Sequence, residues 1–530
     1  MLPGENTETI ESETMYMTSI PRYRHQEEGG KAAKEKELDL WDRYQVYEEV
    51  KDEGQKKLGR NWILTDKVVN GVGTIKGRLT VRGDQEETSG LRKDSPTVRR
   101  GNIKIFSAIA AKEHWEIKAS DVACAFLQGV SIDRDVFLFP PKERRIPGVL
   151  WKLLKPVYGL VDAPRGWHLA LDHELLKAGC EKCNIDPAMY LRFSVSREGE
   201  KSLQGIVLTH VDDLLNGGSA EFQESVMSSI KSAFNFGSDE AEAFWYTGMN
   251  MTQTSDGIII DQDHYVKSLE LPDMDLVRGL NMNDVLSGEG QTLFRACVAK
   301  VLYVGYQSRP DVCFEAKCLS TKFGKATKTD LKSALKKIQK LQGYPTRMIF
   351  PDLGPVCNWT LVGYGDAGIR SMPDKVNSVG GKVILLVNSE KKAACVLHWR
   401  SKKLNRKVVS SLAGEALACT ATIGEIVYVK AILHQIYGDI INNIPVIVFT
   451  DSKNLREAVY SSSLVDDPWL LPDIAIIKEA VEVGTISCVR RVSSEDMLAN
   501  CLTKAGASAD GLMKVLQTGR YVIPEGLDMA

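Results

Sequence analysis

The spacing of apolar positions changes rhythm several times along the chain, and each change predicts an element. WDRYQVYEEV, just after Leu38, reads as helical. NWILTDKVV and GTIKGRLTVRG show the shorter period and glycine breaks of two strands in a hairpin. NIKIFSAIAAKEHW predicts an amphipathic helix, and EIKASDVACAFLQG a strand running into a compact turn. In residues 165–180, Trp167, Leu171 and Leu175 recur every four positions, which is the spacing of one helix face. GIVLTHVDDLL is apolar on both sides of two acids and predicts strand, tight turn, strand. Residues 221–236 read as helical. Residues 257–340 read as further helices, ending in the lysine-rich KTDLKSALKKIQKLQG.

Three prolines in PTRMIFPDLGP mark a boundary. Beyond it, WTLVGYGDAG, GGKVILLVN and ACVLHWRSKK predict three strands, and SLAGEALACTATIGEIVYVKAIL a long helix. IPVIVFTDSK predicts a strand, NLREAVYSS and DIAIIKEAVE two helices, and ISCVRRV a last strand. Residues 1–36 are polar and poor in aromatic side chains, which predicts a disordered leader.

Composition narrows the class. A chain of 530 residues with 43% hydrophobic positions can bury several cores, about three to five domains at ordinary domain sizes. No apolar run approaches the ~18 residues of a membrane span, and the N-terminal stretch lacks the basic and apolar regions of a secretory signal. The expected location is therefore cytoplasmic or nuclear, not secreted. The eleven cysteines are an odd, scattered set, which does not suggest a disulfide framework. Cys180 and Cys183 form a C-x-x-C without a second pair nearby, so they read as ordinary thiols, not zinc ligands. A net charge of −2 leaves any nucleic-acid surface to local clusters. Arg92, Lys93, Arg99, Arg100 and Lys104 form one such cluster, and Lys402, Lys403, Arg406 and Lys407 another; each alone reads as a solvated face.

Two sets of acids carry candidate chemistry. Asp121 ends a strand-like segment, and Asp212 and Asp213 sit together at an apolar hairpin tip. Adjacent carboxylates held against apolar strands repel each other and lose hydration. A divalent cation relieves both costs. Mg2+ suits carboxylate oxygens, with Mn2+ as an alternative, and such ions serve in-line phosphoryl transfer. In the second set, Asp366 and Asp451 end apolar strands, while Glu415 falls within the apolar stripe marked by Leu412, Ala416, Cys419 and Ile423. A glutamate on a buried face needs a partner, and convergence with Asp366 and Asp451 around Mg2+ would provide one.

DVACAFLQG, VYGLVDAPRGW, DPAMY, VLTHVDDLL, FWYTGMNM and FRACVAKVLYVGYQSRPDVCF occur in the order seen in copia-type reverse transcriptases, which this chain resembles. GYGDAG, WRSKK, SSLAGEALA, FTDS and SSEDMLANCLTK follow in the order of that family's RNase H. The resemblance covers about residues 40–510. It implies a mixed α/β (α+β) fold: a fingers–palm–thumb polymerase followed by an RNase H-like domain. The expected division is leader 1–36, fingers and palm 37–240, thumb and connection 241–345, RNase H-like domain 356–505 and C-terminal tail 506–530.

By resemblance, Asp121, Asp212 and Asp213 are the polymerase metal ligands, and Asp366, Glu415 and Asp451 those of RNase H. Phe126 falls where the family excludes the ribose 2′-hydroxyl. Arg78, supported by Lys76 and Arg82, falls where the family holds the incoming triphosphate, and Arg165 falls beside the nucleotide site. The implied partners are an RNA template, a DNA primer or RNA–DNA hybrid, deoxynucleoside triphosphates and other parts of the same polyprotein, in a cytoplasmic virus-like particle or the nucleus. No membrane partner is implied.

Three positions depart from the pattern. His210 stands where the family usually has Tyr, Asp162 where it commonly has Gln, and Asn500 where the fourth RNase H acid belongs. An amide ligates a metal less well than a carboxylate, so weakened RNase H activity is expected. The family's capsid, protease and integrase signatures do not occur here, so the chain is expected to be a fragment, a separate reading frame or a decaying copy. The departures favour an alternative: an element remnant that binds nucleic acid without polymerising. The intact polymerase acids argue against it. A stand-alone hybrid nuclease would leave residues 40–340 without a role.

Overall fold

A computed structural model describes residues 19–69, 72–272, 275, 278–462 and 467–527. The chain forms two compact units. One holds the described residues up to Thr97 together with Val122–Gly179 and Ser228–Gly237; the other holds Val98–Asp121, Cys180–Met227 and everything from Ser238 on.

In the first unit, strands Arg60–Val69 and Val72–Val81 form the expected hairpin, with Ile63 opposite Arg78. Gly77, Leu79 and Val81 face inward, while Lys76 and Arg82 are exposed and Arg78 is half-buried. This is the period-2 pattern of a half-buried strand. The helix Glu28–Arg43 lies on the inner face, burying Ala33, Leu38 and Trp41. Its close approach depends on Gly77, where a Cβ would sit 2.8 Å from the Ala33 carbonyl oxygen. Residues 1–18 of the expected leader lie outside the described residues. The rest of that leader is not disordered: the small and apolar positions Gly30 and Ala33 give residues 28–36 a face to bury. The helix also stops at Arg43. Gln45 takes a left-handed φ of 51°, and Tyr47–Lys51 pairs as a strand with Val149–Leu153.

In the second unit, strands Glu116–Val122, Asp213–Gly218, Lys201–His210, Met189–Val195 and Glu181–Lys182 lie side by side in that order. The helix Arg100–Glu113 covers them with a nearly all-buried apolar face. A second sheet comprises Ala243–Tyr246, Met249–Thr254, Gly257–Asp261 and Arg347–Pro351. The expected linker around Pro345–Pro355 thus contains a strand, because Met348 and Phe350 alternate inward. Helices Gly288–Gln307, Cys313–Ser320 and Lys328–Gly343 follow the third of these strands in the chain.

The C-terminal sheet runs Ala393–Lys403, Val379–Asn388, Trp359–Gly368, Val446–Thr450, Cys488–Arg491. Its first three strands are antiparallel and its last two parallel. This mixed sheet with flanking helices is the arrangement expected of the RNase H-like domain. The helix Ser411–Tyr437 crosses the central strand. By length and composition the run Ser411–Asn443 could cross a membrane, but 56% of its most apolar window is buried within the protein. It is long because it spans the sheet it covers.

One hydrophobic core runs from Val98 and Phe106 through Leu215 and Met251 to Trp359 and Leu433. The strand pair bearing the first acids therefore shares its core with the C-terminal sheet, and the compact units cut across the linear division expected from the motifs. Within the expected C-terminal tail, the helix Asp510–Thr518 buries Leu512, Val515 and Leu516 in that core.

Candidate functional site

The first acidic site is built by a hairpin. His210 and Asp213 are paired across a two-residue turn of Val211 and Asp212. Asp213 in turn lies directly opposite Asp121 on the neighbouring antiparallel strand. Cross-strand partners share a face, so Asp121 and Asp213 present their carboxylates to the same side. Val211 holds a φ of 61°, costly for a β-branched residue. At the other end of the hairpin, Phe222 fills the space left by the paired Gly205 and Gly218, where added Cβ atoms would lie 2.4 and 2.3 Å from its ring.

Asp213 is pushed up to about 7 by burial, then by Asp212 and Asp121. Asp212 is exposed in the turn, one position out of step with the face that Asp121 and Asp213 share. These three acids do not form so tight a group as the second set. Among the described residues, the acids whose ligand oxygens all lie within 4.8 Å of one another are Asp366, Glu415 and Asp451.

That second site depends on close helix–strand packing. Asp366 lies in the fully buried strand Trp359–Gly368, and Asp451 directly follows its parallel neighbour Val446–Thr450. Gly363 and Gly365 let the helix Ser411–Tyr437 approach: a Cβ on Gly365 would meet Thr422 Oγ1 at 2.8 Å and the Ala418 carbonyl oxygen at 3.1 Å. Gly414 serves the same end, with Ala367 Cβ 3.1 Å from where its own Cβ would be. The helix start is held by Ser410, whose hydroxyl accepts the Ala413 N–H at 3.2 Å. Glu415, 6% exposed, is thereby brought to Asp366.

The Ala367 N–H donates to Glu415 Oε1 at 3.3 Å, while Glu415 Oε2 is buried without a partner. Burial, then Asp366 and Asp451, pushes Glu415 up to about 9. Burial also raises Asp366, against the lowering effect of Lys504. An orphaned buried carboxylate oxygen facing two further acids fits a divalent cation.

Around this cluster lies a ring of polar contacts that the motif order alone does not reveal. Thr503 Oγ1 donates to Asp366 Oδ2, and Lys504 Nζ lies 3.3 Å from Asp366 Oδ1 and 2.8 Å from Asn500 Oδ1. Asn500 Nδ2 donates to the Ser494 carbonyl at 2.6 Å, and Ser494 Oγ donates to Asp451 Oδ2 at 3.0 Å.

The remaining candidates lie in the first unit. Arg78 stands over the Tyr158 ring at 5.5 Å, and Phe126 packs against the same ring at 5.1 Å. Tyr158 links the two and was missed; its signal was the VYGL segment already quoted. Lys76 projects from the same strand face as Arg78. Arg82 is paired with Asp84 at 2.7 Å and Arg165 with Asp94 at 2.6 Å. Asp162 is not an isolated acid: Arg134 donates to both its oxygens, at 2.7 and 2.9 Å, and also to Glu86.

The basic clusters separate on folding. Lys104 is buried 3.1 Å above the Trp399 ring, Arg99 pairs with Glu425 at 2.8 Å and Arg406 pairs with Asp473. Cys180 and Cys183 are buried, and burial pushes the Cys180 thiol up to about 12.

A hairpin of paired acids on a buried sheet, sharing a chain with a mixed sheet that gathers three further acids, is the arrangement expected of a reverse transcriptase-type protein. Residues 44–282 match the family described as "Reverse transcriptase (RNA-dependent DNA polymerase)". The chain is 25% identical over 478 residues to the retrovirus-related Pol polyprotein from transposon RE1 of Arabidopsis thaliana, covering 84% of this chain and 30% of that protein. It is 26% identical over 480 residues to the corresponding RE2 polyprotein of the same plant, covering 84% of this chain and 31% of that protein. It thus spans under a third of either relative. The resemblance to copia-type retrotransposon Pol proteins is borne out. A solved structure described as the foamy viral protease-reverse transcriptase dRH in complex with double-stranded DNA has a TM-score of 0.52 and 12% identity, over 90% of this chain and 73% of that one. This likeness is one of fold.

Proposed function

We propose that the chain is an RNA-directed DNA polymerase of a copia-type retrotransposon, with a fused ribonuclease H centre. The observation that carries this reading is Asp213 facing Asp121 on the strand beside the hairpin whose turn holds Asp212, inside the segment that matches the reverse transcriptase family. Its substrates are deoxynucleoside triphosphates, and its partners are an RNA template and a DNA primer or RNA–DNA hybrid. It works alongside other parts of the same polyprotein, in a cytoplasmic virus-like particle or the nucleus.

Asp121, Asp212 and Asp213 hold Mg2+, or Mn2+ in its place, and Asp366, Glu415 and Asp451 form a second such centre. When bound, a divalent ion supplies charge stabilisation to the phosphoryl group in flight and activates the attacking oxygen. The protein's part is to hold these carboxylates in place; burial favours the protonated forms of Asp213 and Glu415, so an arriving ion displaces their protons. Arg78, with Lys76 and Arg82, holds triphosphate oxygens. Phe126, packed against Tyr158, bars a ribose 2′-hydroxyl, and Arg165, paired with Asp94, stands beside the nucleotide site.

Primer extension on an RNA template with Mg2+ tests the polymerase, with Asp212→Asn expected to lose activity by about 10^3-fold or more. Cleavage of an RNA–DNA hybrid, abolished by Asp451→Asn, tests the nuclease. Equal extension by the native chain and Asp212→Asn would sink the polymerase reading. Asn500, bonded to Lys504 and Ser494, favours a second reading in which the nuclease centre is weakened. Binding of the hybrid without extension or cleavage would support a remnant that only binds nucleic acid.

A further inference from the structure

Lys504 occupies an unusual position for a lysine. Its ammonium lies between Asp366, which is fully buried, and Asn500, while its stem remains 43% exposed. The amide of Asn500 is oriented by its surroundings. Its Nδ2 donates to the Ser494 carbonyl, which leaves Oδ1 to accept from Lys504. Turning the amide over would set an NH2 group against an ammonium and a carbonyl oxygen against a carbonyl oxygen. Asn500 Oδ1 is therefore committed to Lys504, and Asp366 Oδ1 faces the same positive charge. Asp366 Oδ2 is taken up by Thr503. Glu415 Oε2 is buried and unpartnered, and Glu415 offers a carboxylate oxygen within 4.8 Å of one from each of Asp366 and Asp451.

The cluster thus has two sides. One, at Glu415, presents an unpartnered carboxylate oxygen, and the other, at Asn500, is met by the Lys504 ammonium. A carboxylate at position 500 would add a negative charge to the second side and favour a second divalent ion there. The amide with Lys504 beside it instead supplies a single fixed positive charge.

Building on the nuclease reading above, we infer that Lys504 is a resident cation of the RNase H-like centre: it fills the Asn500 side and, together with the neutral Asn500 amide, limits the cluster to one divalent ion, held by Asp366, Glu415 and Asp451. Lys504 is a positioning residue here. It also sets the affinity of that ion, because like charges sharing one carboxylate repel.

The test is direct binding of Mn2+ to the full chain, with free Mn2+ read by electron paramagnetic resonance. Asp212→Asn and Asp213→Asn are included to silence the first cluster. One ion is expected. Lys504→Met should keep one ion and bind it about tenfold more tightly, given a charge removed from within contact range of a shared ligand. Asn500→Asp combined with Lys504→Met should bind two. Thermal unfolding of each variant without metal verifies folding. Unchanged or weaker binding by Lys504→Met would overturn the inference, as would two ions in the parent chain. Failure of the underlying nuclease reading looks different: Asp366→Asn would leave Mn2+ binding unaltered.

Discussion

Single side chains in this protein are read correctly only with their partners in view. Asp213 shows this most directly. Its folded pKa of about 7 lies above its ordinary value of 3.8 because burial and two neighbouring acids disfavour the charge. It is therefore protonated below about pH 7, and a metal must displace that proton. The Mg2+ concentration giving half-maximal primer extension should fall as pH rises from 6 to 7, by up to about tenfold per unit, and flatten above 8. Mg2+ titrations at several pH values would measure this, and a requirement unchanged between pH 6 and 8 would contradict it. Asp162 makes the complementary point. From its neighbours in sequence it looked like a stray acid near the nucleotide site, yet Arg134 neutralises it together with Glu86. Arg134→Ala should destabilise the protein by about 2 kcal/mol, since two partly buried acids lose their donor. Adding Asp162→Asn should recover part of that loss in urea unfolding.

Among elements, the pairing of the helix Ser411–Tyr437 with the strand Trp359–Gly368 does most to create a site. Both were visible in the sequence, the strand as an apolar run and the helix as a long apolar stripe with Glu415 inside it. The glycines that let them touch were visible only as letters. Gly365→Ala places a methyl group within 2.8 Å of Thr422 Oγ1 and 3.1 Å of the Ala418 carbonyl. This should cost about 1–3 kcal/mol through helix displacement. It should also weaken metal binding at the second cluster while leaving primer extension intact. Thermal unfolding and Mn2+ binding report the two effects separately. Normal Mn2+ affinity in this variant would mean that close packing is not what brings Glu415 to Asp366. Other elements were less legible. The strand Arg347–Pro351 hides among prolines, and the strand Tyr47–Lys51 follows a helix whose pattern appeared to continue. In both cases a pairing partner distant in sequence decided the conformation.

At the scale of the molecule, the two acidic clusters make stability a function of pH and metal together. Glu415 rises from 4.5 to about 9 and Asp213 to about 7 on folding. The folded state therefore holds protons that the unfolded chain has already released. Their contribution to stability is present below the unfolded values and is lost as pH rises through the folded ones. In EDTA, the Tm should fall between pH 7 and 9, and the Tm gained by adding Mg2+ should grow over the same range. Differential scanning calorimetry at fixed ionic strength would show both trends. A Mg2+ effect that shrinks toward pH 9 would contradict the assignment of Glu415 as a ligand.

The order of the motifs, the strand and helix rhythm of both acidic regions and the identity of the six carboxylates were present in the sequence, because each depends on residues close together along the chain. What joins them was not. The opposition of Asp121 and Asp213, the pairing of Asp162 with Arg134 and the contact of Lys504 with Asp366 link residues separated by 28 to 138 positions. The core that joins the first hairpin to the C-terminal sheet does the same over a longer span. Such contacts form only when strand register and core packing set distant backbones side by side, and no local pattern of apolar and polar residues encodes which distant partner will be met.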